Sequence, residues 1–241
     1  PTSGWHTPPP MPRFYLLLLL LAGCASAPPP AATTDGADPN LGTITLNGQV
    51  VPIEWDDGDS FTFLGGLYKG DGVRLEGWNT LESYGPVHRW GDWTAKELYG
   101  VAREALYQAR RQSWDCTTDG KRDYYKRVLV TCPELGVDLV EKGLAHVYAF
   151  KQEADPQLMA LQRQARMDKR GMWEKGAPEF LVTSLHSAEG KGGRNSVVTT
   201  RDGQWDGRAH QDEYQECEEI CVEDPVRGSC MLYVPYEHRY H

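Results

Sequence analysis

Thr43-Ile44-Thr45-Leu46-Asn47-Gly48-Gln49-Val50-Val51-Pro52-Ile53 is the stretch that sets the fold class. Two runs of strand-favouring residues flank Asn47-Gly48, a dipeptide that tolerates positive φ at both positions and so closes two-residue hairpins. Phe61 to Leu64 and Val73 to Leu75 continue the pattern across Gly65-Gly66 and Gly70-Asp71-Gly72, which read as turns. The result is a β-meander. Beyond it the period changes. Ala95, Leu98, Tyr99, Ala102, Leu106 and Ala109 follow helical spacing and predict an amphipathic helix over Trp93 to Arg111. Strands near Ser113 to Cys116 and Arg127 to Thr131 come next. A short helix around Val137 to Lys142, ended by Gly143, precedes a last helix from Pro156 to Lys169 with Asp155 as N-cap. Short strands with about three helices in residues 43–175 predict an α+β fold, a five-stranded β-barrel of the OB type carrying α-helices.

Toward the N-terminus, Met11, Arg13, the apolar run Phe14 to Leu21 and the small pair Ala22-Gly23 have the order of a signal peptide over residues 11–23. The run is far shorter than the roughly 20 residues that a membrane-spanning helix needs. Leu21-Ala22-Gly23-Cys24 is similar to the bacterial lipobox, in which the cysteine receives lipid and becomes the mature N-terminus. That similarity implies a membrane anchor at Cys24 and a location in the cell envelope, periplasmic or outer-membrane, or outside the cell. Residues 1–10 precede Met11 and read as sequence outside the native start. Residues 24–42 are Pro- and Ala-rich and read as a tether, too poor in large apolar groups to form a core.

Toward the C-terminus, residues 176–241 form an acidic, cysteine-containing extension expected to be irregular, with Ser184 to Gly207 a flexible or extended connection. The net charge of −9 argues mildly against a nucleic-acid partner, because phosphate contacts need Lys and Arg. Its distribution weakens that objection. Residues 43–175 hold 18 basic against 20 acidic residues, whereas the extension holds 6 against 12. A near-neutral domain can place arginines locally around a phosphate, although it binds long duplexes weakly.

Four motifs in the domain carry chemistry: Asp57-Gly58-Asp59; Arg74 with Asn79-Thr80-Leu81-Glu82; Asp123-Tyr124-Tyr125-Lys126-Arg127; and Gly143-Leu144-Ala145 with Tyr148. Each alone is weak, since Asp-Gly-Asp is a common turn and an arginine on a strand is usually a solvated charge. Their order and spacing together resemble the staphylococcal nuclease (thermonuclease-like) family from Ile53 to Trp173. The resemblance implies calcium as cofactor, with Asp59 and Asn79 at metal positions, Thr80 offering its backbone carbonyl and Asp57 a nearby acid. It also implies that Arg74 and Arg127 bind phosphate and that Glu82 is the catalytic carboxylate. Asp123, Tyr125 and Tyr148 fall where the family holds the nucleotide, though Tyr148 reads equally well as an amphipathic barrel residue.

The chemistry agrees with these roles. Phosphodiester hydrolysis builds negative charge on phosphoryl oxygens, which a hard cation and two planar guanidinium forks can hold. A carboxylate can then take a proton from the attacking water or orient it. The family's Asp-Thr-Pro-Glu is here Asn79-Thr80-Leu81-Glu82, so one negative charge is missing and weaker metal binding is expected. Its Asp-x-Tyr-Gly-Arg carries Lys126 in place of glycine, where a turn is expected.

Export implies an oxidising compartment, so cysteines read first as disulfides. Cys116 and Cys132 sit near the ends of two strands joined by a loop and are a candidate cross-strand pair. Cys217, Cys221 and Cys230 are odd in number; with His238 they could be written as a zinc site, but the spacing fits no standard pattern. The expected protein is a monomeric calcium-dependent endonuclease acting on DNA or RNA outside the cytoplasm, with no protein partner. The alternatives are a catalytically weak nucleic-acid-binding OB-type module and a structural envelope lipoprotein.

Overall fold

The computed structural model describes residue 1 and residues 39–82, 85–150, 152–178, 180–184, 195–201, 204–212 and 229–234. The signal segment, Cys24, Cys217, Cys221 and His238 lie outside the described residues. No helix among the described residues is long and apolar enough to cross a membrane.

The opening hairpin forms as its sequence dictates. Strands β1 (Leu41–Leu46) and β2 (Gln49–Trp55) pair antiparallel, with Leu46 opposite Gln49. Asn47 and Gly48 take φ of 49° and 82°, the double positive φ of a turn whose twist matches the strands. Ile44, Leu46, Val51, Ile53 and Trp55 alternate into the core. β2 runs past Ile53 because Glu54 and Trp55 pair with Thr62 and Phe61 of β3 (Phe61–Phe63). Edge-on packing of Trp55 on Phe61, with centroids 5.1 Å apart, fills that end of the core.

Strand β4 (Val73–Leu75) is followed by β5 (Gly77–Thr80) and β6 (Gly85–Trp90). Helix α1 (Ala95–Ala109) begins at a reciprocal cap, in which Thr94 Oγ1 accepts from Glu97 N at 3.3 Å and Glu97 Oε2 accepts from Thr94 N at 2.9 Å. Its Leu98, Ala102, Ala105, Leu106 and Ala109 are buried, the face its spacing predicts. Strands β7 (Asp115–Cys116) and β8 (Val128–Val130) follow. Helix α2 (Pro133–Glu141) starts earlier than its apolar spacing implies, because Pro133 sits preorganised in the first turn. Strand β9 (Ala145–Tyr148) leads to helix α3 (Pro156–Met167), capped by Asp155, whose carboxylate accepts from Gln157 N at 2.7 Å. A 3-10 turn, Gly171–Trp173, closes the domain.

These elements form an OB-like barrel with three helices, its strands shared among separate sheets rather than one continuous ladder. One sheet has the order β3-β2-β1-β7, with β7 parallel to β1; β4 pairs parallel with β8, and β5 antiparallel with β9. Single bridges, Thr62 to Gly72 and Thr117 to Thr131, tie the β4–β8 pair to both edges of the four-stranded sheet, so the strand path curls round on itself. A disulfide joins Cys116 to Cys132, the cross-strand pair expected. Closing a loop of this size restricts the unfolded chain by about 3 kcal/mol. A second apolar cluster, including Trp90, Trp93, Leu98, Met172 and Trp173, seats α1 against the end of the domain.

The extension departs from its expected irregularity. Its β10 (Phe180–Ser184), β11 (Asn195–Arg201) and β12 (Gln204–Asp212) form an antiparallel sheet, and β13 (Ser229–Val234), which contains Cys230, pairs with β6. Gly- and polar-rich composition hid these strands; of their pairings only that of β13 with β6 joins distant segments, whereas β11 and β12 are separated by Asp202-Gly203 alone, a hairpin signal in the sequence.

Candidate active site

The acidic loop between β2 and β3 is folded by its own side chains. Asp57 Oδ1 accepts from Asp59 N at 3.0 Å and Ser60 Oγ at 2.7 Å, an Asx turn that directs Asp59 inward. Asp59 Oδ2 then accepts from Thr80 N at 2.9 Å and lies 3.2 Å from Arg74 Nη1. Gly58 is required between them. A Cβ there would fall 2.6 Å from Thr80 Cγ2 and 2.9 Å from Ala105 Cβ, so only hydrogen fits between β5 and α1.

Strand β4 turns Val73 and Leu75 into the core and Arg74 to the opposite face, as alternation requires. The Arg74 guanidinium meets Asp59, donates to Asn79 Oδ1 and lies 5.1 Å from the Tyr148 ring centroid. Burial works against its charge. Asp59, Tyr148, Glu82 and Asp57 more than offset this, and the group is held above its ordinary range.

Fully buried Asn79 stands in β5, its oxygen toward Arg74 and its Nδ2 donating to Thr80 O at 3.0 Å. A guanidinium only donates and a carbonyl only accepts, so these two neighbours fix which way the amide faces. The resemblance puts Asn79 beside the metal, whereas here its oxygen serves Arg74. Glu82 follows β5. Burial first, then the negative charges of Asp57 and Asp59, push its carboxyl up to about 8, while Arg74 and Arg127 pull it back. Both arginines therefore act on Glu82, although they are 53 residues apart in sequence. Burial and the Asp59 charge likewise push Asp57 to about 7.

Arg127 comes from the excursion between β7 and β8. Asp123 organises it: Oδ1 accepts from Tyr125 N and Arg127 N, both at 2.9 Å, and Oδ2 accepts from Arg127 Nε at 2.8 Å and pairs with Nη2 at 2.7 Å. Lys126 takes φ of 72°, so the lysine adopts the left-handed turn for which glycine is the natural residue. The Tyr125 ring lies 5.7 Å from Arg127 Cζ, and Tyr124 beside it is 90% exposed.

The structure thus gathers Asp57, Asp59, Arg74, Asn79, Thr80, Glu82, Arg127 and Tyr148 around one centre, and gives Asp123 to Arg127 as its partner. Sequence reasoning missed His146, which lies opposite Asn79 in the β5–β9 register. Its Nδ1 lies 3.1 Å from Val147 O, which fixes that nitrogen as the donor, and its buried Nε2 has no hydrogen-bond partner among the described residues. Burial holds its pKa down, to about 4. The signal would have been a strand over Ala145–Tyr148, which its short mixed run conceals.

The donor chemistry fits a hard cation. Every candidate ligand is oxygen: the Asp59 carboxylate, Asp57 beside it and the Thr80 carbonyl. The Thr80 carbonyl keeps a second lone pair beyond the one that Asn79 uses. Among the described residues no three His, Cys, Asp or Glu side chains form a metal cluster by themselves, so backbone, water or substrate oxygens have to complete the shell.

No curated protein matches the chain. Residues 72–175, which carry Arg74, Glu82, Arg127 and the three helices, match the family model described as staphylococcal nuclease homologue.

Proposed function

We propose that this domain hydrolyses phosphodiester bonds of DNA or RNA with calcium as its metal ion. The observation that carries the reading is the β4–β8 register, which sets Arg74 opposite Leu129, two residues from Arg127, so that both arginines stand on one face of the pair and lower the pKa of the same Glu82 carboxyl. A base and two phosphate-binding forks thereby face one centre.

Arg74 and Arg127 hold the non-bridging oxygens of the scissile phosphate, and their forks bind more tightly as charge grows in the transition state. Asp59 and Asp123 keep the two guanidiniums oriented in the absence of substrate. Glu82, once ionised, takes a proton from the attacking water at a carboxylate oxygen; its raised pKa makes it a stronger base than a surface glutamate. Tyr125 offers an exposed ring on which a base of any identity can stack. Asp59 and the Thr80 carbonyl would hold the cation, with Asp57 beside them. Bound there, calcium supplies charge neutralisation at a phosphoryl oxygen.

The test is cleavage of a labelled oligonucleotide with calcium and with chelator, by wild type and Arg127→Ala. Calcium-stimulated cutting that the substitution abolishes is expected; equal cutting by both proteins overturns the assignment. One observation favours a second reading, a weakly catalytic binding module: Arg74 already pairs with Asp59 and Arg127 with Asp123. Salt-sensitive retention of single strands without cleavage is its signature. We place the protein in the cell envelope, anchored through lipid on Cys24, on the strength of its lipobox. Cys24→Ser is expected to release it from membranes, and a membrane pellet that retains the variant counts against the anchor.

A further inference from the structure

Between Cys116 and Cys132 the chain leaves the barrel and returns with Arg127 on its inbound arm. Just inside the disulfide, Thr117 and Thr131 exchange both backbone hydrogen bonds at 2.9 Å. Further out, Leu129 N donates to Lys121 O at 2.9 Å and Asp123 N to Arg127 O at 3.0 Å. The inbound arm becomes β8, which pairs with β4 so that Arg74 stands opposite Leu129. Where β8 is held therefore sets the separation of the two guanidiniums.

Its two edges are held differently. On the β4 side a three-residue ladder runs from Val73–Val128 to Leu75–Val130. On the other side β7 is only two residues long, and β8 is tied to the outbound arm of its own excursion by the bridges Thr117–Thr131 and Arg122–Val128, by Leu129 N donating to Lys121 O and by Thr118 Oγ1 donating to Leu129 O at 2.7 Å, with the disulfide at the base where that arm leaves β7. Hydrogen bonds of this kind open and close locally, whereas the covalent link at the base of the excursion does not. Cys132 is also the N-cap of α2, yet its side chain makes no capping hydrogen bond. A position at which Ser, Thr or Asp would steady the helix holds a sulfur instead.

We infer that the Cys116–Cys132 disulfide is a positioning device for Arg127. By closing the base of the excursion it keeps β8, and with it the guanidinium, at the separation from Arg74 and Glu82 that catalysis needs. The cysteines act through Arg127 and are positioning residues. The consequence for turnover rests on the phosphodiesterase reading; the consequence for Arg127 geometry does not. Reduction breaks the S–S bond, and the two sulfurs take up two electrons and two protons as thiols while an external dithiol is oxidised to its own disulfide. Both cysteines are buried, so the excursion must open for a reductant to enter.

Oxidised wild type, wild type reduced with dithiothreitol and the double variant Cys116→Ala, Cys132→Ala are compared at a temperature where circular dichroism shows all three folded. Reduction is expected to lower kcat at least ~10-fold with KM changed less than about 3-fold, and reoxidation to restore it, because orientation rather than binding is lost. A folded, reduced protein that cuts at the oxidised rate overturns the inference. Hydrogen exchange at Arg127 Nε, read by NMR, needs no substrate. Reduction is expected to accelerate it at least ~10-fold by loosening the excursion that holds Asp123 against it. Unchanged exchange overturns the inference whether or not the protein cuts, whereas accelerated exchange in a protein that cuts nothing counts against the phosphodiesterase reading alone. If the alanine variant does not fold, the reduced wild type supplies both measurements.

Discussion

The two halves of the site hold their arginines by different physics. Arg74 is fixed by distant parts of the chain: Asp59 from the β2–β3 loop, Asn79 from β5 and the Tyr148 ring from β9. Arg127 is fixed within five residues, by Asp123 of its own turn, and is the more exposed of the two. The difference teaches that one half is a by-product of the folded core, whereas the other is a local device attached to it. Damage to the Arg74 half should register as lost stability as well as lost activity. Damage to the Arg127 half should register mainly in turnover.

The hardest test of that contrast removes each fork. Arg127→Ala is expected to lower kcat by at least ~10²-fold, the scale for losing one preorganised charge-stabilising donor, while the melting temperature barely moves. Arg74→Lys is expected to impair cutting and also destabilise the fold, because a point charge cannot serve Asp59 and Asn79 together. Steady-state kinetics beside thermal melts on both variants decide it. Equal melting temperatures would erase the distinction between the halves.

That distinction also marks what the sequence made legible. Asn47-Gly48, the periodic face of α1 and the Asp155 cap are local signals, and each element formed where its residues placed it. Strands β5 and β9 were missed because neither alternates. Asn79, Thr80 and His146 are polar yet buried, and their reason is the cross-strand pairing itself. The motif residues were identified from spacing, but their wiring was not. That Asn79 would face Arg74, and that Asp123 would hold Arg127, depends on side-chain geometry that spacing does not encode.

The tight fit around Gly58 offers the next largest effect. In Gly58→Ala the new methyl must push against Thr80 and Ala105, from which an ideal Cβ would be 2.6 and 2.9 Å. Overpacking of this kind costs about 1–3 kcal/mol. It also lifts Asp59 from Thr80 N, so urea unfolding should show the loss and calcium affinity should fall with it. Wild-type stability in this variant would mean that the loop moves freely, contrary to a rigid Arg74 half.

Asn79→Asp sharpens the comparison by adding charge to that rigid half. The carboxylate still accepts from Arg74 but can no longer donate to Thr80 O, which frees that carbonyl for a cation. Half-maximal activity should come at several-fold lower calcium, about 1 kcal/mol in the Coulombic balance. Calorimetric titration of calcium without substrate should shift in the same sense. An unchanged midpoint would show that this position does not reach the cation.

Proton linkage gives a smaller, graded effect. Folding raises Glu82 from 4.5 to about 8 and Asp57 from 3.8 to about 7, so between those values the folded state holds more protons than the unfolded chain. Their stabilising contribution is full at low pH and lost as pH rises through 7 to 8. His146 works oppositely: its fall from 6.5 to about 4 stabilises above pH 6.5 and is lost as pH drops. Above pH 6.5 only the carboxyls still act. With chelator present, the melting temperature should therefore decline from pH 6.5 to 8.5, and Glu82→Gln should flatten the decline. A slope that Glu82→Gln leaves unchanged would remove Glu82 as its source.

The gentlest probe sits at the tip of the other half. Lys126 occupies φ of 72°, where its Cβ crowds the backbone and glycine would not. Lys126→Gly relieves that conflict but also frees the unfolded chain, and the two effects oppose. The relief is the larger, so a net gain of about 0.5 kcal/mol is expected in urea unfolding. Asp123 accepts from the backbone of Tyr125 and Arg127 on either side of this residue, so the turn should survive the exchange and kcat should stay within about 2-fold. A larger fall in kcat at unchanged or improved stability would mean that Asp123 and the base of the excursion do not hold Arg127 by themselves. The stiffness of the lysine backbone would then belong to the device, and the Arg127 half would be as dependent on a single strained residue as the Arg74 half is on the whole core.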